Sequence, residues 1–408
     1  MSDSTHKTQY HIFMLSEATA QQFITRGVAE FIGGEPLLKR LHAGERVIVK
    51  LGIDPTSPHL HLGHVAVLLK LKDAQDLGCK VHFIIGDFTA EIGDTSDKES
   101  ERPMLSYREV KANFTSYLLQ AGKIISTRRA KVSYNSKWLK KLSYREILEQ
   151  ANVFSLHEFT ERVNIKRRLE GGKRISLREL MYPLMQGYDS VMVSSDLEIG
   201  ATDQKFNILA GRTLQEHYKQ RPQAVLLLDL LPGTDGTKMS KSKGNTINVL
   251  DEPNDMFGKL MRVPDEYIIH YFYAVTRVPV AVVESYQESL VSKSESPRDI
   301  KLQMAHAVVA LLHDSNKADI AASEFVRIFS DKEKPTDIPE FRIMGSRSIA
   351  AVLVEIGFSA SKSEVRRLID QQGVKMNDVI VTDSEVEVLN GAVIQKGKRF
   401  FARIIASA

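Results

Sequence analysis

Apolar positions along this chain follow two rhythms. Mostly apolar segments, β-branched at Val47, Ile48 and Val49, occur at residues 47–52 and 81–86, while Val65, Leu68, Leu69 and Leu71 between them carry helical spacing. A strand, a helix (63–77, closed by Gly78) and a second strand predict a βαβ unit and therefore a parallel sheet. Residues 225–231 predict a further buried strand. Before the first strand, residues 1 to about 45 read as an irregular lead with short helices, broken at Gly33, Gly34 and Pro36. From 120 to 185 the pattern is mixed and helical, with helix-spaced apolar residues over 138–148 and 154–169. Residues 246–330 are mostly helical, with breaks at Pro253, Pro264 and Pro297. A charged, proline-bearing linker follows at 331–344. The last unit, 345–408, pairs a Ser361-capped helix of basic face with a turn at 372–377 leading into a hairpin.

The predicted fold is therefore α/β. A Rossmann-like parallel-sheet domain spans 1–245, with a helical insertion at about 120–185. A helical domain and a small α+β domain come after it.

Composition narrows the function classes without choosing one. The 408 residues suffice for two or three domains, and 26% charged residues are ordinary for a globular protein. A formal net charge of +4 means that nucleic-acid contacts must come from local patches. Cys79 is the single cysteine, which excludes an internal disulfide framework. No structural zinc spacing is present, so no structural metal is expected. No apolar run approaches the ~20 residues of a membrane span, and the first residues lack a signal-peptide core. We expect a cytoplasmic protein with no membrane partner.

Several stretches carry candidate chemistry. The junction 51–64 places His61, Gly63 and His64 at a helix start, where unpaired N–H groups favour an anion. That arrangement suits a nucleotide triphosphate, although an ordinary βα loop would look the same. After the second strand, Asp87 and Asp94 are placed to hold an ammonium group, and Lys98 and Arg102 to hold phosphates. The alternative is a solvated polar loop. Lys166, Arg167 and Arg168 are either a solvated helix end or a contact to a phosphate backbone. Tyr182, Gln186 and Asp189 fall on one helical face, as in a pocket with a few placed polar groups. Gly200-Ala201-Thr202-Asp203-Gln204 opens a further helix. Residues 233–245, Gly-Thr-Asp-Gly-Thr-Lys-Met-Ser-Lys-Ser-Lys-Gly-Asn, predict a mobile loop able to close cations over an anionic ligand.

His-Leu-Gly-His after the first strand and Lys-Met-Ser-Lys-Ser after a late strand occur in the order found in class I aminoacyl-tRNA synthetases. Together with Tyr182–Asp189, the Gly-Ala-Thr-Asp-Gln segment and Gly93-Asp94, they make the chain resemble the bacterial tyrosyl-tRNA synthetases. The C-terminal helix with Arg366-Arg367, followed by Gly373-Val374 and Asn377, resembles an S4-type RNA-binding domain.

The resemblance implies tyrosine–tRNA ligation: tyrosine reacts with ATP to give tyrosyl-adenylate and pyrophosphate, and the tyrosyl group then passes to the 3′ end of tRNA(Tyr). It implies that Lys50, Asp54, Asp94, Tyr182, Gln186, Asp189, Asp203 and Gln204 surround tyrosine. ATP falls to Asp54, Thr56, His61, Gly63, His64, Lys98, Arg102, Lys238, Met239, Ser240, Lys241 and Ser242. Of these, His61, His64, Lys238 and Lys241 are the expected catalytic residues. Lys166, Arg167, Arg168, Lys362, Arg366, Arg367, Lys398 and Arg399 are expected on tRNA. Mg²⁺ is expected with the ATP phosphates. The resemblance also implies an anticodon-side role for 246–330 and a homodimer through the helices of 120–185.

Three positions depart from the family pattern: Gly200-Ala201 for Gly-Gly, Thr95-Ser96-Asp97 for Pro-Ser/Thr-Gly, and Lys50 where the best-studied bacterial form has tyrosine. Lys50 is expected to pair with Asp189 and order it. Other readings are the tryptophan enzyme, a nucleotidyltransferase with only the histidine site, and an RNA-binding paralogue without aminoacylation. Tyr188-Asp189 and the S4-like tail argue against the first, and the lysine loop against the second.

Overall fold

The computed structural model describes residues 17–94, 105–240, 243–329, 338–345, 347–397 and 400–407. Lys98, Arg102, Lys241, Ser242, Lys398 and Arg399 lie outside the described residues. The chain divides into two compact units, residues 1–318 and 319–408.

The first unit is built on a six-stranded sheet: β1 (Val28–Ile32), β2 (Ile48–Ile53), β3 (Lys80–Ile85), β4 (Ala130–Tyr134), β5 (Leu197–Ala201) and β6 (Ala224–Leu228), in the order β1-β6-β5-β2-β3-β4. β2 to β6 pair in parallel, and β1 adds antiparallel to the β6 edge. The predicted strands at 47–52, 81–86 and 225–231 are β2, β3 and β6. Three strands escaped the hydrophobic pattern. β1 interrupts the expected lead of short helices, and β4 lies inside the segment expected to be helical throughout. β5 takes in Gly200 and Ala201, which were expected to open a helix; that helix starts only at Lys205, after a short turn at Thr202–Gln204. The helices expected at 138–148 and 154–169 are each split, into Ser136–Leu139 and Tyr144–Ala151, and into Leu156–Thr160 and Val163–Glu170.

From β2 the chain order proceeds outward to β3, and from β5 it proceeds the other way to β6. The crevice between β2 and β5 is thus the topological switch point, where open α/β sheets bind ligands. Only two residue pairs join these strands, Val49↔Leu197 and Lys50↔Glu198. Beyond that rung β2 and β5 part, which opens space at their carboxyl ends.

The helix Leu177–Val193 covers this crevice. It packs closely on the helix Lys205–His217 because Gly187 presents no side chain. A Cβ there would meet the backbone of Ala210 and Gly211 at 3.0 Å. Past the sheet come the helices Pro253–Leu260, Ile268–Val275, Val280–Ser292 and Pro297–Leu312, as the pattern predicted.

In the second unit, β7 (Glu340–Met344), β9 (Val374–Met376), β10 (Val379–Ile380), β12 (Val393–Lys396) and β13 (Phe400–Ser407) form one sheet, and β8 (Arg347–Ser348) pairs with β11 (Glu387–Val388). The helices Ile349–Glu355 and Lys362–Asp370 share its apolar core, which includes Leu353, Val365, Ile369 and Ile394. Ser361 caps the second helix by accepting from the Glu364 N–H, as its sequence predicts.

Candidate active site

The carboxyl ends of β2, β3 and β5 surround a cavity of about 550 Å³. Asp54, Thr56, His61, Gly63, His64, Asp94, Tyr182, Gln186, Asp189, Asp203, Gln204, Lys238, Met239 and Ser240 all line it. The structure therefore gathers most of the sequence-predicted residues from five separate stretches.

At one end stand the histidines. His61 N-caps the helix Leu62–Asp76, its Nδ1 accepting from the Gly63 N–H at 3.2 Å. His64 returns the bond, its Nδ1 accepting from the His61 N–H at 3.2 Å. These bonds place each neutral ring's proton on Nε2. Both rings can then donate through Nε2 towards a ligand oxygen at the helix start.

The lysine loop is tied to the same place. Leu62 N–H donates to Ile247 O and Val249 N–H to Leu60 O, both at 2.9 Å, so the segment after the loop runs alongside the histidine junction. Asn245, buried, knits the described part of the loop. Its Nδ2 donates to Asp235 Oδ1 (2.8 Å) and Lys238 O (3.1 Å), and its Oδ1 accepts from the Ser240 N–H (2.7 Å). Lys238 Nζ lies 2.6 Å from Asp203 Oδ2, which brings the loop cation to the cavity wall.

The other end is acidic. Tyr182 donates its hydroxyl proton to Asp54 Oδ2 at 2.8 Å, and Thr89 donates to Asp54 Oδ1 at 2.7 Å. Burial raises the Asp54 carboxyl to about 7, with Asp94 and Asp189 adding like-charge repulsion. Asp189 is likewise raised to about 7 by burial. Its oxygens accept from Trp138 Nε1 at 2.7 Å and Asn135 Nδ2 at 3.3 Å. Gln204 donates to Asp94 Oδ2 at 2.8 Å. Burial thus favours the protonated form of both carboxyls in the empty site, and a cation placed beside them would favour ionisation.

Gly86 makes this corner possible. A Cβ at Gly86 would come within 1.9 Å of Asp54 Oδ1 and 2.3 Å of Thr89 Oγ1. Gly86→Ala is expected to displace Asp54, at an overpacking cost of about 1–3 kcal/mol. A lower Tm together with weaker ligand binding in calorimetry checks this. Unchanged binding would show that Asp54 takes no part in holding the ligand.

Two expectations are corrected. Lys50 does not pair with Asp189 and does not line the cavity. It is fully buried, and its Nζ lies 3.0 Å from Glu198 Oε1, while donating to Gln186 O at 2.9 Å and Ser190 Oγ at 2.8 Å. The physical reason is register: Lys50 and Glu198 are cross-strand partners on β2 and β5. Arg168, expected on tRNA, is buried against Glu179 at 2.5 Å and also donates to Arg174 O. Its neighbours Lys166 and Arg167 are exposed, with Lys166 paired to Glu161 at 2.9 Å. Lys362, Arg366 and Arg367 are exposed on the second unit.

Asn135, Trp138, Thr89 and Glu198 were missed by sequence reasoning. Asn135 and Trp138 follow β4, an unrecognised strand, so no pattern pointed at the pocket. Among the described residues no group of three His, Cys, Asp or Glu is placed to hold a metal ion, and no helix is long and apolar enough to cross a membrane.

Residues 42–330 match the family of class I tRNA synthetases (W and Y), and residues 347–394 match the S4 domain. A tyrosine–tRNA ligase of Moorella thermoacetica is 43% identical over 402 residues, covering 96% of this chain and 97% of its own. One from Thermotoga maritima is 42% identical, covering 94% and 96%. The tyrosyl-tRNA synthetase of Archaeoglobus fulgidus, solved with L-tyrosine, has a TM-score of 0.60 at 23% identity, covering 74% of this chain and 99% of that one. At that identity the likeness bears on the fold. The chain belongs to the tyrosine–tRNA ligase family within the class I synthetases.

Proposed function

We infer that this chain activates L-tyrosine with ATP and transfers the tyrosyl group to the 3′ end of tRNA(Tyr). The observation that carries this reading is one cavity with two opposite ends. Buried carboxyls suit an amino acid's ammonium and phenol, and paired Nε2 donors with a loop cation suit phosphates.

In this reading Asp94, Tyr182 and Gln186 hold the ammonium group and Asp189 accepts from the phenol hydroxyl. Asp54, Asp203 and Gln204 complete the tyrosine pocket. Thr56, His61, Gly63, His64, Lys238, Met239 and Ser240 take ATP, with Lys98, Arg102, Lys241 and Ser242 assigned from the sequence. The tyrosine carboxylate attacks the α-phosphate, the bond to pyrophosphate breaks, and negative charge builds on the phosphate oxygens. His61, His64 and Lys238 stabilise that charge, so catalysis is positioning plus electrostatics. Mg²⁺ accompanies the ATP phosphates, which supply its oxygen ligands.

We assign catalysis to residues 1–245, an anticodon-side role to 246–330 and RNA binding to 345–408; of the expected linker 331–344, Glu340–Met344 is instead the strand β7, paired with β13 in the second unit's sheet. Exposed Tyr144, Leu148, Leu156, Val163, Leu169 and Leu177 support a symmetric dimer through the segment 120–185. ATP, tyrosine and tRNA meet in the cytoplasm, where we place the enzyme.

ATP–pyrophosphate exchange run in parallel with tyrosine, phenylalanine and tryptophan tests the assignment. Exchange with tyrosine is expected, and its absence would overturn the reading. Removing residues 338–408 is expected to spare exchange while raising the KM for tRNA about tenfold or more, as lost phosphate contacts do. Full charging at low tRNA would exclude a role for the tail and its Lys362, Arg366 and Arg367.

A further inference from the structure

Glu198 lines the cavity and its partner Lys50 lies outside the lining, and the hydrogen bonding of the pair is saturated. The three Lys50 protons reach Glu198 Oε1, Gln186 O and Ser190 Oγ. Glu198 Oε1 also accepts from Gln186 Nε2 at 3.1 Å. Its Oε2 accepts from Ser190 Oγ at 2.9 Å and Gln223 Nε2 at 2.6 Å. Gln186 is thereby gripped twice, at its main-chain oxygen by Lys50 and at its side-chain nitrogen by Glu198. Ser190, gripped by both, follows Asp189 directly.

A cross-strand staple alone would not need to hold a cavity residue by both ends. Beyond this rung β2 and β5 separate, so the pair is the last fixed point before the space that opens. We propose that Lys50 and Glu198 act as one positioning unit that sets Gln186 and Asp189 for tyrosine, without Lys50 touching the substrate. The proposal rests on the assignment of Gln186 and Asp189 to the amino acid.

A buried ion pair can be exchanged for apolar residues of similar volume with little loss of stability, whereas removing one partner strands a charge. The double variant Lys50→Met/Glu198→Leu therefore separates placement from folding. In pyrophosphate exchange its KM for tyrosine is expected to rise about 10-fold to 100-fold, the scale of losing one hydrogen bond to a charged group. The KM for ATP and the kcat at saturating tyrosine are expected to stay within about threefold, since a purely positional loss falls on tyrosine binding. Thermal melting shows whether the variant is folded. Lys50→Met/Glu198→Gln leaves no stranded charge and keeps the volume of Glu198, and it is expected to move the tyrosine KM the same way, which provides the readout if the first double variant does not fold.

A folded variant with a wild-type tyrosine KM overturns the proposal. So does a parallel loss for tyrosine, ATP and melting temperature, which would make the pair a staple only. Failure of the parent assignment looks different: the unmodified enzyme would itself show no tyrosine-dependent exchange.

Discussion

Asp189→Ala is expected to lower kcat/KM for tyrosine about 100-fold, while phenylalanine, which has no hydroxyl, changes little. A hydrogen bond to a charged buried group contributes about 1.5–3 kcal/mol, and the upper half of that range gives this factor. The alanine variant also leaves Trp138 Nε1 and Asn135 Nδ2 without the acceptor they share. Exchange rates with the two amino acids measure the ratio, and an equal fall for both would show that Asp189 does not read the phenol.

The same carboxyl gives the profile its pH course. Burial holds Asp189 and Asp54 at about 7, against an ordinary value of 3.8. The folded, empty site therefore keeps protons that the unfolded chain has released. Sign follows directly: a raised carboxyl favours the fold at low pH, and that contribution is lost as pH rises from about 4 to about 7. Bound tyrosine opposes the loss, because its ammonium favours ionised carboxylates. Tyrosine kcat/KM is expected to climb with pH to about 7 and then level. The apparent midpoint belongs to the interacting carboxyls together. Asp189→Asn is expected to change that midpoint, and an unchanged profile would assign it elsewhere.

Lys238→Ala is expected to reduce the rate of adenylate formation about 10²-fold to 10³-fold, the cost of losing one preorganised contact to developing charge. The tyrosine KM is expected to remain within about twofold, because an interaction made only in the transition state falls on kcat. Lys238 now reaches Asp203 at the cavity wall, so ATP phosphates compete for a cation already delivered. Rapid-quench measurement of adenylate separates rate from affinity. Equal losses of both would contradict the assigned role.

How far these features could be read beforehand depended on where polar groups sit. β6 is a continuous apolar run, and in β2 and β3 the polar residues Lys50 and His82 are outnumbered by apolar neighbours, so periodicity finds all three. β5, Leu-Glu-Ile-Gly-Ala, hides because Glu198 is charged yet buried. Its partner Lys50 is more than a hundred residues away in sequence, so only the tertiary register explains both. β1 is broken by Glu30, and β4 alternates lysine and serine with apolar residues.

In the site, Tyr182, Gln186 and Asp189 were legible because one helix carries them at turn spacing. Asn135 and Trp138 were not, since they reach Asp189 from the short helix Ser136–Leu139 and its N-cap, just after the edge strand β4. Arg168 misled for the opposite reason. Helix spacing gave its place beside two exposed cations, but Glu179, on the next helix, drew it inside.

The pinned base of the lysine loop has a kinetic consequence. Thr234 N–H donates to Asn245 O, and residues 247–249 run beside 60–62, so both ends of the loop are fixed next to the histidines. Lys238 is thus confined to a small volume at the cavity wall beside Asp203, where the proposed function puts the ATP phosphates. Its effective concentration there is set by the short tether and not by any affinity of its own for ATP. Lengthening the stretch between Gly233 and Asn245 would dilute that cation while leaving every contacting residue in the chain.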